Sequence, residues 1–277
     1  MEPRPVFGID LHVHSTESDG SLTPEQLASH AAALGLTAIA LADHDSIAGV
    51  ERCMSAASAL GLTCLPALEL SARDGETHVH VLGYFIDIAG PGLLATLGEF
   101  RRHRVERVMT MARALQEAGY PLDTEPLERQ AAEASLGRLH LARALVAAGH
   151  ASDTRDAFTR LIGNGRPFHI ETERPTPAEA ISLVLAAGGL PVIAHPALSR
   201  VEHLIEPMAA QGLAGVEVYH GEHTQEQRLR LAETARRLGL VATGGTDYHG
   251  PEGPSGEMGS SEMPAGVLGD LLAAAGR

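Results

Sequence analysis

Val6-Phe7-Gly8-Ile9-Asp10-Leu11-His12-Val13-His14, with Thr23-Pro24-Glu25-Gln26 after it, sets the reading of the whole chain. The first run is short and apolar and closes on two imidazoles, as a strand does when it delivers polar side chains at its carboxyl end. Thr23 then offers a cap, Pro24 the first helical position and Glu25 an acid in the first turn, so a helix starts there. The strand–helix unit recurs. Residues 37–43 read as a second strand running into Asp43-His44-Asp45, with a helix over 46–60. Residues 62–69 and 77–85 read as the third and fourth strands, and 189–195, 215–219 and 240–246 as the last three. Strands alternating with helices predict an α/β fold with parallel pairing and right-handed crossovers, arranged as a barrel.

The rhythm breaks between residues 91 and 188. Helices are expected over 93–118, 136–148, 153–162 and 177–187, punctuated by Gly119-Tyr120-Pro121, Gly149 and Gly163-Asn164-Gly165. The expected organisation is a barrel formed by 1–90 and 178–277, with 91–177 as a mostly helical insertion lining the substrate site. No internal repeat is evident. The stretch from Gly250 is a Gly/Ser/Pro-rich loop before a short final helix.

A chain of 277 residues with 44% hydrophobic content can bury a core without disulfides. No apolar run reaches the roughly 18 residues of a membrane span. The first residues carry no apolar core of a secretory signal. Two cysteines, Cys53 and Cys64, make no disulfide framework and read as core residues, so the expected compartment is the cytoplasm. All 21 basic residues are arginine; against 35 acids they leave a net charge of −14, which disfavours a protein that coats duplex DNA. The charge is uneven. Residues 98–177 hold twelve arginines against eleven acids, and the remainder nine against twenty-four.

Fifteen histidines in such a chain call for a reason, and their positions supply one. His12 and His14 close the first expected strand, His44 follows the second, Glu69 closes the third and His80 lies in the fourth. His195 closes the fifth, Glu217 lies in the sixth, and Asp247 and His249 follow the seventh. Carboxyl ends of parallel barrel strands open onto one face, so these groups converge. Asp19, in a Ser/Gly-rich turn, can reach back over the mouth. Imidazoles and carboxylates without thiolates suit Zn²⁺, Mn²⁺ or Fe²⁺, and burying so many polar groups with no cation would be costly.

His12-Val-His14-Ser-Thr-Glu-Ser-Asp19-Gly20, Ala42-Asp43-His44-Asp45, Glu69, His80-Val-Leu-Gly-Tyr84, Ala194-His195-Pro196 and Gly245-Thr246-Asp247-Tyr248-His249 resemble the PHP (polymerase and histidinol phosphatase) family. The resemblance runs from residue 6 to about 250. It implies a distorted seven-stranded β/α barrel with a trinuclear metal centre. One ion would take His12, His14, Glu69 and Asp247. A second would take Glu69 as a bridge with His80 and His195, and a third Asp19, His44 and His249. All nine positions hold competent residues. Within the family the chain resembles the branch with a helical insertion. Its members act as 3′,5′-nucleoside bisphosphate phosphatases or short-RNA 5′→3′ exonucleases. The motifs are Ser135-Leu-Gly-Arg138-Leu-His140-Leu-Ala-Arg143, Phe158-Thr-Arg-Leu-Ile-Gly-Asn-Gly-Arg166-Pro167 and Glu217-Val-Tyr-His220-Gly-Glu-His223. Phe168-His169-Ile170 departs from that branch, which usually carries a tyrosine there.

The expected chemistry is metal-dependent phosphoester hydrolysis, with two or three divalent ions, manganese first and iron or zinc as alternatives. A metal-bound hydroxide would be the nucleophile. His220 and His223 are equal candidates for the general acid that protonates the leaving oxygen. Arg138 with His140, and Arg166 in the glycine-rich turn, are expected to hold the second phosphate or the nucleotide. Substrates would be nucleoside 3′,5′-bisphosphates such as 3′-phosphoadenosine 5′-phosphate, losing the 3′-phosphate, or very short 5′-phosphorylated RNA. Histidinol phosphate is the first rival, made less attractive by the arginines. A non-catalytic metal-binding accessory module is the second, opposed by the filled ligand positions. The bland readings are a solvated helix face for Arg101, Arg102, Arg104 and Arg107, surface positions for His30, His103 and His150, a structural role for His78, and helix capping or support of His44 for Asp43 and Asp45.

Overall fold

The computed structural model describes residues 8–276, apart from 134–135, 172, 252 and 254–255. The first two residues of the opening strand as read from sequence, and Ser135, lie outside that range. The chain divides into two compact units, one of residues 1–95 and 174–277 and one of residues 96–173.

The first unit is built on seven strands in the order β1 to β7: β1 (Ile9–Val13), β2 (Ala38–Leu41), β3 (Thr63–Asp74), β4 (Thr77–Tyr84), β5 (Leu190–Ile193), β6 (Gly215–His220) and β7 (Val241–Gly245). Helices α1 (Pro24–Ala33) and α2 (Val50–Ala59) follow the first two strands. The chain then continues through α3 (Pro91–Glu117), α4 (Glu125–Glu133), α5 (Arg138–Ala147), α6 (Thr154–Ala157) with a π turn at Phe158–Ile162, and α7 (Pro177–Ala186). Last come α8 (Ile205–Ala209), α9 (Gln225–Leu238) and α10 (Val267–Ala274). The sheet nearly closes. Past β7, Tyr248 pairs in parallel with Val13, and the His14 N–H donates to the Tyr248 carbonyl at 2.8 Å.

Pairing is not uniformly parallel. β1/β2, β2/β3, β5/β6 and β6/β7 are parallel, but β4 runs antiparallel to both β3 and β5. The cause is local: β3 runs on to Asp74 and only Gly75-Glu76 separates it from β4, with Gly75 at φ +55°. Two residues can join antiparallel neighbours only, and a glycine at the first loop position suits such a turn. The reversal is why β4 brings its histidine from its first half, with His80 opposite Ser71 of β3.

Local chemistry agrees with these boundaries. Thr23 accepts the Gln26 N–H while the Gln26 side chain accepts the Thr23 N–H; Thr176 and Glu179 do the same at α7. Each cap contributes about 1 kcal/mol. Ile39 and Leu41 pack outward with Leu27, Ala31, Cys53 and Ala57 of α1 and α2, while Leu11, Ala38, Ala40, Leu82, Tyr84 and Val192 form a second apolar layer. Cys53 and Cys64 lie in the first of these layers as free thiols. β1 and β6 each carry a register irregularity, between Asp10 and Val13 and between Glu217 and Tyr219. Such bulges re-aim side chains, and both occur on strands that carry site residues.

The second unit has its own core, made of Val108, Met111, Leu115, Leu136, Leu141, Leu145 and Ile162 among others. Its α4 is absent from the sequence reading. The expected solvated face of α3 is also corrected. Arg107 is only 6% exposed and lies beside Val108 on the packed side, while the Arg101 guanidinium donates to the Ala131 and Ala132 carbonyls at 2.9 Å, on the last turn of α4. Among the described residues no helix is long and apolar enough to cross a membrane.

Candidate metal centre

The nine residues singled out as ligands meet in the first unit. His14 Nε2 lies 2.9 Å from Asp247 Oδ1 and 3.4 Å from Glu69 Oε2, and His12 Nε2 lies 3.3 Å from Glu69 Oε2. Glu69, fully buried at the centre, also has Oε1 2.9 Å from His80 Nδ1 and 3.0 Å from His195 Nε2. Asp19 gathers the third set: His249 Nε2 is 3.3 Å away and His44 Nε2 3.8 Å. Three groups have ligand atoms close enough to share an ion: His12/His14/Glu69/Asp247, His14/Asp19/His44/His249 and His44/Glu69/His80. His44 thus stands beside both of the last two, with Nδ1 3.0 Å from Glu69 Oε2.

The donor set fits divalent cations. His12 Nε2, His14 Nδ1 and Nε2, His44 Nδ1 and Glu69 Oε2 are all buried and make no hydrogen bond. Leaving a buried polar atom unsatisfied costs about 1–3 kcal/mol, and five of them facing one centre are what a cation would satisfy. Burial alone would raise the Glu69 carboxyl, yet the neighbouring imidazoles of His44, His80 and His12 hold it well below the usual range. Burial likewise works against a charged His12, but Glu217, Glu69 and Asp247 raise it well above an ordinary histidine. His195, Asp247 and Asp45 sit at φ +30°, +56° and +48°. Left-handed backbone at non-glycine residues costs on the order of 1–3 kcal/mol each and collects where function requires it.

Buried acids hold this arrangement from outside. Glu217 contacts His12 Nδ1 at 3.0 Å and accepts the His195 N–H at 2.7 Å. Asp10 accepts the backbone N–H groups of Thr246 (3.0 Å) and Gly259 (2.8 Å), fixing the residue before Asp247. Asp43 accepts the Ser15 N–H, the Ser15 hydroxyl and the Ser18 hydroxyl at 2.6–2.7 Å, so it shapes the turn from His14 to Asp19. Asp45 accepts the Ser71 N–H at 2.8 Å. The expectation that Asp43 or Asp45 caps the next helix is therefore corrected: α2 has Gly49 as its N-cap, with no side-chain cap. Asp10 escaped the sequence reading, although an acid two residues before His12 inside an apolar strand was a signal.

His220 and His223 separate clearly. His220 is fully buried, its Nδ1 accepts the Glu222 N–H at 3.1 Å, and its Nε2 points to Asp247 Oδ2 at 3.9 Å. Burial, set against the acids nearby, pushes it down to about 4. His223 uses Nδ1 on the Val218 carbonyl at 3.0 Å and packs against His220 with the rings tilted by 48° and their centroids 5.3 Å apart.

In the second unit, Arg138 donates to Asn164 Oδ1 at 2.7 Å, contacts His169 Nδ1 at 3.1 Å and lies over the Phe158 ring at 5.7 Å. Burial lowers its pKa. His140 Nδ1 accepts the Gly137 N–H at 3.1 Å, closing the start of α5. Arg166 is exposed. The departure at Phe168-His169-Ile170 thus has a structural use: His169 joins Arg138 to Glu171, which it contacts at 2.7 Å.

The PHP domain model matches residues 10–123. A 3′,5′-nucleoside bisphosphate phosphatase of Chromobacterium violaceum is 35% identical, over 93% of this chain and 92% of its own length. The chain belongs to the PHP family. Other PHP relatives include a phosphoribosyl 1,2-cyclic phosphate 1,2-diphosphodiesterase of Eggerthella lenta, 36% identical over 88% of this chain and 95% of its own. The 5′-3′ exoribonuclease Rnm of Escherichia coli is 32% identical over 94% and 91%. Among solved structures, a proposed metal-dependent phosphoesterase from Bifidobacterium adolescentis aligns with TM-score 0.88 and 33% identity over 98% of both chains.

Proposed function

We propose that this PHP protein is a metal-dependent phosphomonoesterase that removes the 3′-phosphate from nucleoside 3′,5′-bisphosphates. The observation that carries the reading is the convergence of His12, His14, Glu69 and Asp247, with buried ligand atoms of His12, His14 and Glu69 that make no hydrogen bond. The bisphosphate phosphatase relative supports the substrate class. The nine residues named above would hold two or three divalent ions, manganese first. Bound there, such ions supply an acidic water and neutralise charge on the phosphoryl oxygens.

The chain's own residues do the rest. His220, neutral because burial pushes it down to about 4, takes the role of hydrogen-bond donor to the leaving oxygen in preference to His223. A hydrogen bond accepted at Nδ1 leaves the proton on Nε2, the atom turned toward Asp247. Arg138, His140 and Arg166 remain the proposed nucleotide-binding residues, with Arg138 oriented by Asn164 and His169. The free, buried thiols suit a reducing cytoplasm. Very short RNA is a second substrate, favoured by the exoribonuclease relatives.

Steady-state kinetics with Mn²⁺ on 3′-phosphoadenosine 5′-phosphate, a 5′-phosphorylated RNA trimer, a ribose 1,2-cyclic phosphate and histidinol phosphate test the reading. The bisphosphate should lead in kcat/KM. A preference for histidinol phosphate or the cyclic phosphate by about tenfold, or 1.4 kcal/mol of transition-state binding, would overturn it.

A further inference from the structure

Glu217 lies in β6 with no exposed surface, and both its carboxylate oxygens are engaged by two of the proposed ligands. Oε1 is 3.0 Å from His12 Nδ1, and Oε2 accepts the backbone N–H of His195 at 2.7 Å. The opposite edge of the His12 ring faces the centre, Nε2 lying 3.3 Å from Glu69 and 3.4 Å from Asp247. We infer that Glu217 is a positioning residue that sets the tautomer and orientation of His12 and the backbone of His195, tying the β1 and β5 ligands together. The inference rests on the metal-centre reading above.

The argument is one of donors and acceptors. A His12 that offers its Nε2 lone pair to a cation carries its proton on Nδ1, so Nδ1 is a donor. The His195 N–H is a donor by nature. Two donors from two strands therefore meet one side chain, and only a group with two acceptor atoms in one plane satisfies both. A carboxylate has them. A carboxamide has one acceptor and one donor, so glutamine at 217 would turn an N–H against either His12 or His195. Glu217 is in none of the three groups of converging ligand atoms and meets His12 at the edge of the ring turned away from them, so it acts from behind the ligand. The bulge beside it, between Glu217 and Tyr219, supplies the local departure from regular pairing that aims the side chain. His195 needs such a hold, since its φ of +30° is a conformation that an unanchored histidine would leave.

The test compares parent and Glu217→Gln, both stripped with chelator and reloaded with Co²⁺, by equilibrium dialysis and by the visible ligand-field spectrum. Co²⁺ affinity should fall about 10–100-fold and the spectrum should change, while the stripped variant keeps the parent's circular dichroism. A loss under about threefold with an unchanged spectrum overturns the inference. Should the variant not fold, the parent still decides: long-range ¹⁵N–¹H spectra of the loaded, histidine-labelled protein should report His12 as the Nδ1–H tautomer, and Nε2–H overturns the inference. A parent that binds no Co²⁺ overturns the metal-centre reading and this inference with it; a parent and Glu217→Gln that bind Co²⁺ alike overturn this inference alone.

Discussion

Alanine at Gly245 is the sharpest perturbation of the centre that replaces no proposed ligand. A Cβ at 245 would lie 2.4 Å from His12 Cβ, 2.6 Å from the His12 backbone N and 3.0 Å from Asp10 Oδ1. Carbon atoms rest about 3.5–4.0 Å apart, so β1 and β7 must separate by about 1 Å. Overpacking of this kind costs about 1–3 kcal/mol. At about 2–4 °C per kcal/mol for a chain of this size, the melting temperature should fall by roughly 2–12 °C. Activity should suffer more than stability, because the displaced backbone is that of His12; a misplacement of about 1 Å can cost on the order of 100-fold in rate. The control is Gly98→Ala in α3, where a Cβ meets nothing within 4 Å and helix propensity favours alanine by up to about 1 kcal/mol. Calorimetry and steady-state kinetics on both variants read the outcome. A Gly245→Ala protein with the parent's melting temperature and kcat/KM would refute the claim that the approach of β7 to β1 sets His12.

Glu69→Ala, which removes the carboxylate shared by His12, His44, His80 and His195, should abolish turnover and lower bound metal measured by mass spectrometry; a tenth of parental activity (about 1.4 kcal/mol) contradicts the assignment. His220→Ala should lose about 10²–10³-fold in kcat with little change in KM, as when one hydrogen-bond donor to a developing charge is removed, while His223→Ala stays close to the parent; the reverse order would exchange their roles. In the chelator-treated protein, His249 is raised to about 9 because Asp19 outweighs the effect of its burial. Its contribution to stability is full below pH 6.5, the ordinary histidine value, and is lost as pH rises through about 9. Denaturant titrations of Asp19→Asn should lack that alkaline decline, and a parent with no decline would contradict the pairing.

Much of the centre could be read in advance because ligands at strand ends announce themselves in sequence: an imidazole or acid interrupts an apolar run where the strand stops. His12, His14, His195 and Asp247 do so, whereas Glu69, expected to close the third strand, lies inside β3, which runs on to Asp74. The cap at Thr23 was legible for the same local reason. What escaped depended on partners distant in sequence or on weak patterns. The reversal of β4 was signalled by the glycine at Gly75-Glu76, but alternation of strands and helices elsewhere argued for parallel pairing. The charged α4 offers Leu127 as its buried large side chain and so shows no apolar stripe. Arg107 looks solvated within a run of arginines, yet helical spacing puts it with Val108, Met111 and Leu115. The supporting roles of Asp10, Asp43 and Glu217 come from backbone donors 22 to 249 positions away or fixed only by folding.

Anomalous diffraction from crystals of the Mn²⁺-loaded protein tests the central claim most directly. The account predicts two or three manganese peaks, each within coordination distance of the side chains of His12, His14, Asp19, His44, Glu69, His80, His195, Asp247 and His249, with one peak touching Glu69 and Asp247 together. No peak inside that ring of residues, or ions bound elsewhere while the ring stays empty, would contradict it.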